Sequence, residues 1–170
     1  WNPGCTEIEG SVGIHGSDIT NLNGLNVITR FGEDVDIGYI PNLIELTGLD
    51  NVLSIEGYLW IEDNDSITSL TGLESLSNIG GSLLIGDNEI LASLSGLNNL
   101  DTIGGSLTIG TYEPLGGYLG NPSLTNLSGL ENLNYIGYDL KIKYNESLTS
   151  ITALENIYSG SINDLFIFDN

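Results

Sequence analysis

The sequence predicts a β-rich, right-handed solenoid of about seven coils, each of ~24 residues with one short strand and one short helical turn. Three observations lead there. An apolar-x-apolar marker recurs as Val12-x-Ile14, Val35-x-Ile37, Leu59-x-Ile61, Leu83-x-Ile85, Leu107-x-Ile109, Leu140-x-Ile142 and Leu165-x-Ile167, with steps of 23, 24, 24, 24, 33 and 25 residues. Between markers the apolar period changes from two to three, as in Leu70, Leu73, Leu76 and Ile79. Asparagine returns three residues after the marker isoleucine, at Asn64, Asn88, Asn145 and Asn170.

Each part of the unit has a physical reason. The marker alternates and is β-rich, so it reads as a strand whose two apolar residues face the core. The asparagines fall at a corner, where stacked side-chain amides can satisfy backbone groups of neighbouring coils. Thr71-Gly-Leu-Glu74, Ser128-Gly-Leu-Glu131 and Thr152-Ala-Leu-Glu155 read as capping boxes, with weaker copies at Thr47 and Ser95. They predict one helical or 3₁₀ turn per coil, near 72–76 and its equivalents. Gly80-Gly81 and Gly104-Gly105 allow a positive φ at the corner before the strand. A single coil is too thin to bury its own apolar face, so coils must stack. At the spacing of paired strands, seven coils reach on the order of 34 Å.

The long step holds about nine extra residues beyond the ~24 of a regular coil, a loop insertion at 110–120 that includes Tyr112 and Tyr118. The rest of 1–170 reads as one solenoid domain. The chain has no Met and opens at Trp1, so it is expected to be a fragment of a longer chain. Cys5, its single cysteine, cannot form an internal disulfide.

Composition excludes several classes. Hydrophobic residues make up 40% of the 170, too many for an acidic disordered tail. No apolar run is long enough to span a membrane as a helix. Twenty-three acidic residues stand against Arg30, Lys141 and Lys143, a formal charge of −20. Such a chain repels nucleic acid, anionic lipid and anionic polysaccharide. High acidity also serves solubility alone.

"CTEIEGSVGI", "LSNIGGSLLIGDN" and "LDTIGGSLTI" resemble leucine-rich-repeat-like solenoids, and most closely the receptor L-domain and related repeats of secreted bacterial surface proteins. The resemblance covers nearly the whole chain. It implies surface or ligand recognition without a catalytic set, at the cell surface or in secretion. The cysteine framework of animal receptors is missing, so a hormone-receptor role does not carry over.

Little points to catalysis. His15 is the sole histidine, and no nucleophile signature, phosphate loop or zinc spacing occurs. The expectation is that the chain is not an enzyme and needs no cofactor, calcium excepted. Asp63, Asp65, Asp87 and Glu89 share one corner of adjacent coils, where oxygen ligands could hold Ca²⁺. Of three N-x-S/T sequons, those at Asn64 and Asn145 coincide with the inward column, and the third is at Asn126. The column Thr47, Thr71, Ser95, Ser128 and Thr152 raises ice binding, but capping already accounts for these hydroxyls.

The strand face is the most informative surface. Outward residues set Tyr58 and Trp60 beside Leu84 and near Asp34, Asp36 and Glu62. An outward Trp with no core duty marks a contact surface. The first reading is a neutral glycan stacked on Tyr58 and Trp60, with the carboxylates as hydroxyl partners and Tyr112 and Tyr118 as a wall. The alternatives are protein–protein adhesion through the same face, and a structural spacer within a larger surface protein.

Overall fold

The structure, a computed structural model, describes residues 4–113, 117–158 and 160–170, with backbone alone for 111–113 and 117–119. It is a parallel β-solenoid of about six turns. Its seven marker strands bound six steps. The strands Val12–Ile14, Val35–Gly38, Leu59–Glu62, Leu83–Gly86, Leu107–Ile109, Leu140–Lys143 and Leu165–Phe168 form one wide sheet in that order. Register follows the marker throughout, for example Leu59 with Leu83 and Ile61 with Ile85.

Among the described residues, a second strand that the sequence reading missed precedes each of the first six marker strands. Six two-residue strands, Glu7–Ile8 through Tyr135–Ile136, pair in parallel as a narrow sheet. Their isoleucines or Phe31 point inward and precede the glycine corner. Both sheets feed one core. Leu70, Leu73, Leu76, Ile79, Leu83 and Ile85 of one coil are each no more than 1% exposed. Fully burying such a side chain contributes about 1.5–3 kcal/mol.

The expected helical turns are mostly absent. The 3₁₀ segments are Asn23–Leu25 and Thr152–Leu154, near the ends of the array. Elsewhere the spacing of three comes from consecutive tight turns, with Leu73 N–H donating to Leu70 O at 3.2 Å and Leu76 N–H to Leu73 O at 3.0 Å. The motif glycine takes a positive φ in those coils, whereas Gly24, at the same place inside the first 3₁₀ segment, does not. Gly72 sits at φ +110° and Gly96 at φ +113°, which no right-handed helix admits. The acidic residue still caps, but one residue along: Glu74 Oε2 accepts from Gly72 N–H at 2.9 Å, not from Thr71. In the last coil Ala153 replaces that glycine, and there the 3₁₀ turn forms.

The corner glycines are also corrected. None of Gly80, Gly81, Gly104 and Gly105 has a positive φ. They are small because the coils lie close: a Cβ on Gly80 would stand 2.3 Å from Glu56 O, and one on Gly104 2.2 Å from Gly80 O.

The asparagine column is a buried ladder. Asn88 donates to Ile61 O at 3.0 Å and Gly86 O at 2.8 Å, and its Oδ1 accepts from Asn64 N–H at 3.3 Å. Asn121 and Asn145 repeat the pattern across the insertion, and Asn170 ends it. Asn64, Asn88, Asn121 and Asn145 have no exposed surface. The sequons at Asn64 and Asn145 are therefore closed to modification in the folded chain. The insertion itself is an antiparallel hairpin, Thr111–Glu113 against Gly117–Leu119.

The C-terminal end of the core is open. Leu165 and Ile167 occupy core register, yet are 59% and 44% exposed, and with Leu154 and Ile157 they line an apolar hollow of about 350 Å³. Among the described residues, no helix is long and apolar enough to cross a membrane.

Candidate functional site

Strand alternation places the aromatic pair. Leu59 and Ile61 point into the core, which sends Tyr58, Trp60 and Glu62 outward. Tyr58 and Trp60 do not lie flat and apart. Their rings stack on each other, with centroids 4.5 Å apart and planes at 23°. Trp60 remains 36% exposed, while Tyr58 is half-buried. Register sets Asp36 beside Trp60 on one side and half-buried Leu84 on the other.

The carboxylates have different duties. Asp34 holds the aromatic strand: its Oδ1 accepts from Tyr58 N–H at 3.1 Å. Burial pushes the Tyr58 phenol above its usual pKa, and the hydrogen bond and charge of Asp34 add to this. Asp36 Oδ2 stands 3.3 Å from His15 Nε2, and His15 in turn stacks on Tyr39 at 6.1 Å. Asp36 Oδ1 is covered and has no hydrogen-bond partner. Glu62 is half-buried at the far end of the same strand.

The sheet face divides in two. The outward positions of its first four strands carry no Lys or Arg. Beyond Thr108 the character changes. Lys141 pairs with Asp139 at 2.8 Å and sits 5.9 Å from the Phe166 ring centroid. The Lys141 hydrogen bond holds the Asp139 carboxyl below its ordinary value, whereas burial lowers the Lys143 ammonium.

Tyr112 and Tyr118 are cross-strand partners on the hairpin. Their side chains lie outside the described residues, so their place as a wall is not settled by geometry.

The acidic corner is real as an electrostatic cluster. Burial raises the Asp87 carboxyl, and the charges of Asp63, Asp65 and Glu89 raise it further. Burial, then Asp65, raises Asp63. Yet among the described residues no three His, Cys, Asp or Glu side chains are gathered closely enough to hold a metal ion. Asp63 and Asp87 have φ +54° and +51°, a left-handed conformation that ties their placement to the turn. The same column carries Tyr39, Tyr144 and Asp169, each with positive φ. An open hollow of about 510 Å³ lies beside it, lined by Asp87, Glu89, Pro122, Tyr144, Glu146 and Asp169. The sequence reading missed this hollow and the His15–Asp36 pair. Aligning the residue before each ladder asparagine would have exposed the first. The second is a diagonal contact, since register sets His15 opposite Gly38 and Asp36 opposite Gly13, so alternation brings the two to one face without pairing them.

A raised carboxyl pKa means that the fold holds the proton more tightly than the unfolded chain does. Stability therefore rises as pH falls through the folded pKa, and the charged form works against folding at neutral pH. Asp87→Asn removes that charge and keeps a residue type that tolerates the left-handed turn. It is expected to stabilise the chain at neutral pH by under about 1 kcal/mol after solvent screening, with the gain vanishing in acid. Urea unfolding midpoints of both proteins across pH measure this.

Compared with family models, curated proteins and solved structures, the chain matches none, and its own geometry identifies it as a parallel β-solenoid with an aromatic and acidic strand face.

Proposed function

We propose that this chain is a non-catalytic extracellular recognition module that binds a glycan on its exposed strand face. The observation that carries the reading is the outward Tyr58–Trp60 stack, with Trp60 open to solvent beside Asp36 on a rigid sheet. A sheet holds such side chains in place before the ligand arrives, which lowers the ordering cost of binding. An indole presented this way stacks on the apolar face of a sugar ring, and neighbouring carboxylates accept from its hydroxyls. The repeat pattern resembles leucine-rich, receptor-L-like solenoids, and a recognition role at the cell surface or in secretion agrees with that likeness. The high acidity and the absence of a nucleophile–base constellation in the sequence support the same assignment.

The test is retention of the purified domain on soluble and insoluble polysaccharides, with and without calcium. Trp60→Ala is expected to cost about 2 kcal/mol of binding, roughly thirtyfold in affinity. Binding to a neutral glycan should survive added salt. Retention that weakens steeply as salt rises, and only on protein partners, would replace the glycan reading with adhesion. No binding to either would leave a spacer.

A further inference from the structure

We propose that the ligand of the Trp60 face is a glycan carrying free amino groups, a polymer or oligomer of 2-amino sugars in its protonated form. This rests on the glycan reading above and narrows its class. A carboxylate oxygen pairs more strongly with an ammonium than with a neutral hydroxyl, and few carboxylate oxygens on this face are free. Asp34 Oδ1 is taken by the Tyr58 backbone N–H, and one oxygen of Asp36 faces His15. Around Trp60 the outward positions of the face carry Asp34, Asp36 and Glu62 and no Lys or Arg. The nearest lysine in the outward column is Lys141, two strands beyond Leu84 through Thr108.

The second observation is Asp36 itself. Its Oδ1 is buried without a donor, a state that costs free energy. The aspartate χ2 torsion is broad, so the carboxylate turns easily about it. Such a turn presents one oxygen to a ligand at Trp60, its register neighbour, while the other keeps His15. An ammonium donor is the group that uses all these features at once. It pairs with Asp36, and it is attracted to the open indole face through the ring quadrupole. The sugar ring that bears the ammonium supplies the apolar face for stacking. An N-acetyl group at the same carbon keeps the ring but removes the charge.

That pair of ligands provides the test. Calorimetry would compare binding of a glucosamine oligomer and an N-acetylglucosamine oligomer of equal length, at mildly acidic pH and moderate salt. The variants are Asp36→Asn, Trp60→Ala and Glu146→Gln, the last an exposed carboxylate on a distant coil. The expected result is about tenfold tighter binding of the amine form. Asp36→Asn should erase the preference, Glu146→Gln should leave it intact, and Trp60→Ala should weaken both oligomers. Equal affinity for the two oligomers, with loss of both in Trp60→Ala, would overturn the amine assignment and leave the glycan site standing. An amine preference reduced as much by Glu146→Gln as by Asp36→Asn would also overturn it, because bulk charge would then be the cause. Failure of both oligomers, together with failure of all neutral polysaccharides, would overturn both readings.

Discussion

Gly96→Ala is expected to cost about 4 kcal/mol, a large part of the stability of an ordinary domain. Two separate penalties combine. The glycine sits at φ +113°, where an L-residue with a Cβ is strained by about 1–3 kcal/mol. The new Cβ would also stand 1.9 Å from Leu70 O and 2.3 Å from its carbonyl carbon. Those atoms are the backbone of the coil beneath, held by Leu73 N–H donating to the same Leu70 oxygen. They cannot swing aside as a flexible side chain would, so overpacking adds about 1–3 kcal/mol. Gly24→Ala is the control. A Cβ there meets nothing within 4 Å, and its backbone has an ordinary φ. That variant should be neutral or slightly stabilising. Urea unfolding followed by circular dichroism distinguishes the two. Equal midpoints for both variants would show that the coils separate easily, against the close stacking described above.

Asn88→Leu is expected to be nearly as damaging, by about 3–5 kcal/mol, although leucine has similar volume and suits a buried site. The loss is polar. Without the amide, the carbonyl oxygens of Ile61 and Gly86 lose their donor, Asn121 Oδ1 loses one of its own, and Asn64 N–H loses its acceptor. All four groups lie in or beside a corner closed to water, so nothing replaces the bonds. Asn51→Leu makes the comparison: Asn51 also donates to the preceding coil, to Asn26 O at 2.7 Å, but it does so at the surface. Water takes over there, and the cost should stay below about 1 kcal/mol. Similar losses at the two positions would show that the ladder is not a structural spine.

These two variants mark what the sequence makes legible and what it hides. The marker pairs and the asparagine column depend on coil-to-coil repetition, and repetition is visible in one dimension. Register at Leu59, Leu83 and Leu107 could be read without coordinates. The [ST]-G-L-E motif misled because its letters suit a helix cap, whereas the backbone of Gly72 decides for a turn. Gly80 and Gly104 misled in the opposite sense. Their reason lies in the neighbouring coil, which a local turn rule cannot see. At the strand face, alternation placed Tyr58, Trp60, Asp34 and Asp36 on one surface. It could not show that the two rings stack, or that Asp36 faces His15. Those facts depend on rotamers, and rotamers answer to neighbours in space.

The hairpin between the coils of Ile109 and Asn121 has a wider meaning. Leu107 pairs with Leu140 and Ile109 with Ile142, although 33 residues separate them instead of the usual 24. The ladder crosses the same gap, from Asn88 to Asn121, without losing a rung. Length has been added without disturbing the ruler by which the coils measure their spacing. That corner is a natural grafting point, where new chain can vary freely while the lattice beneath it stays the same. A scaffold of this kind separates what must be conserved for assembly from what is open to invention.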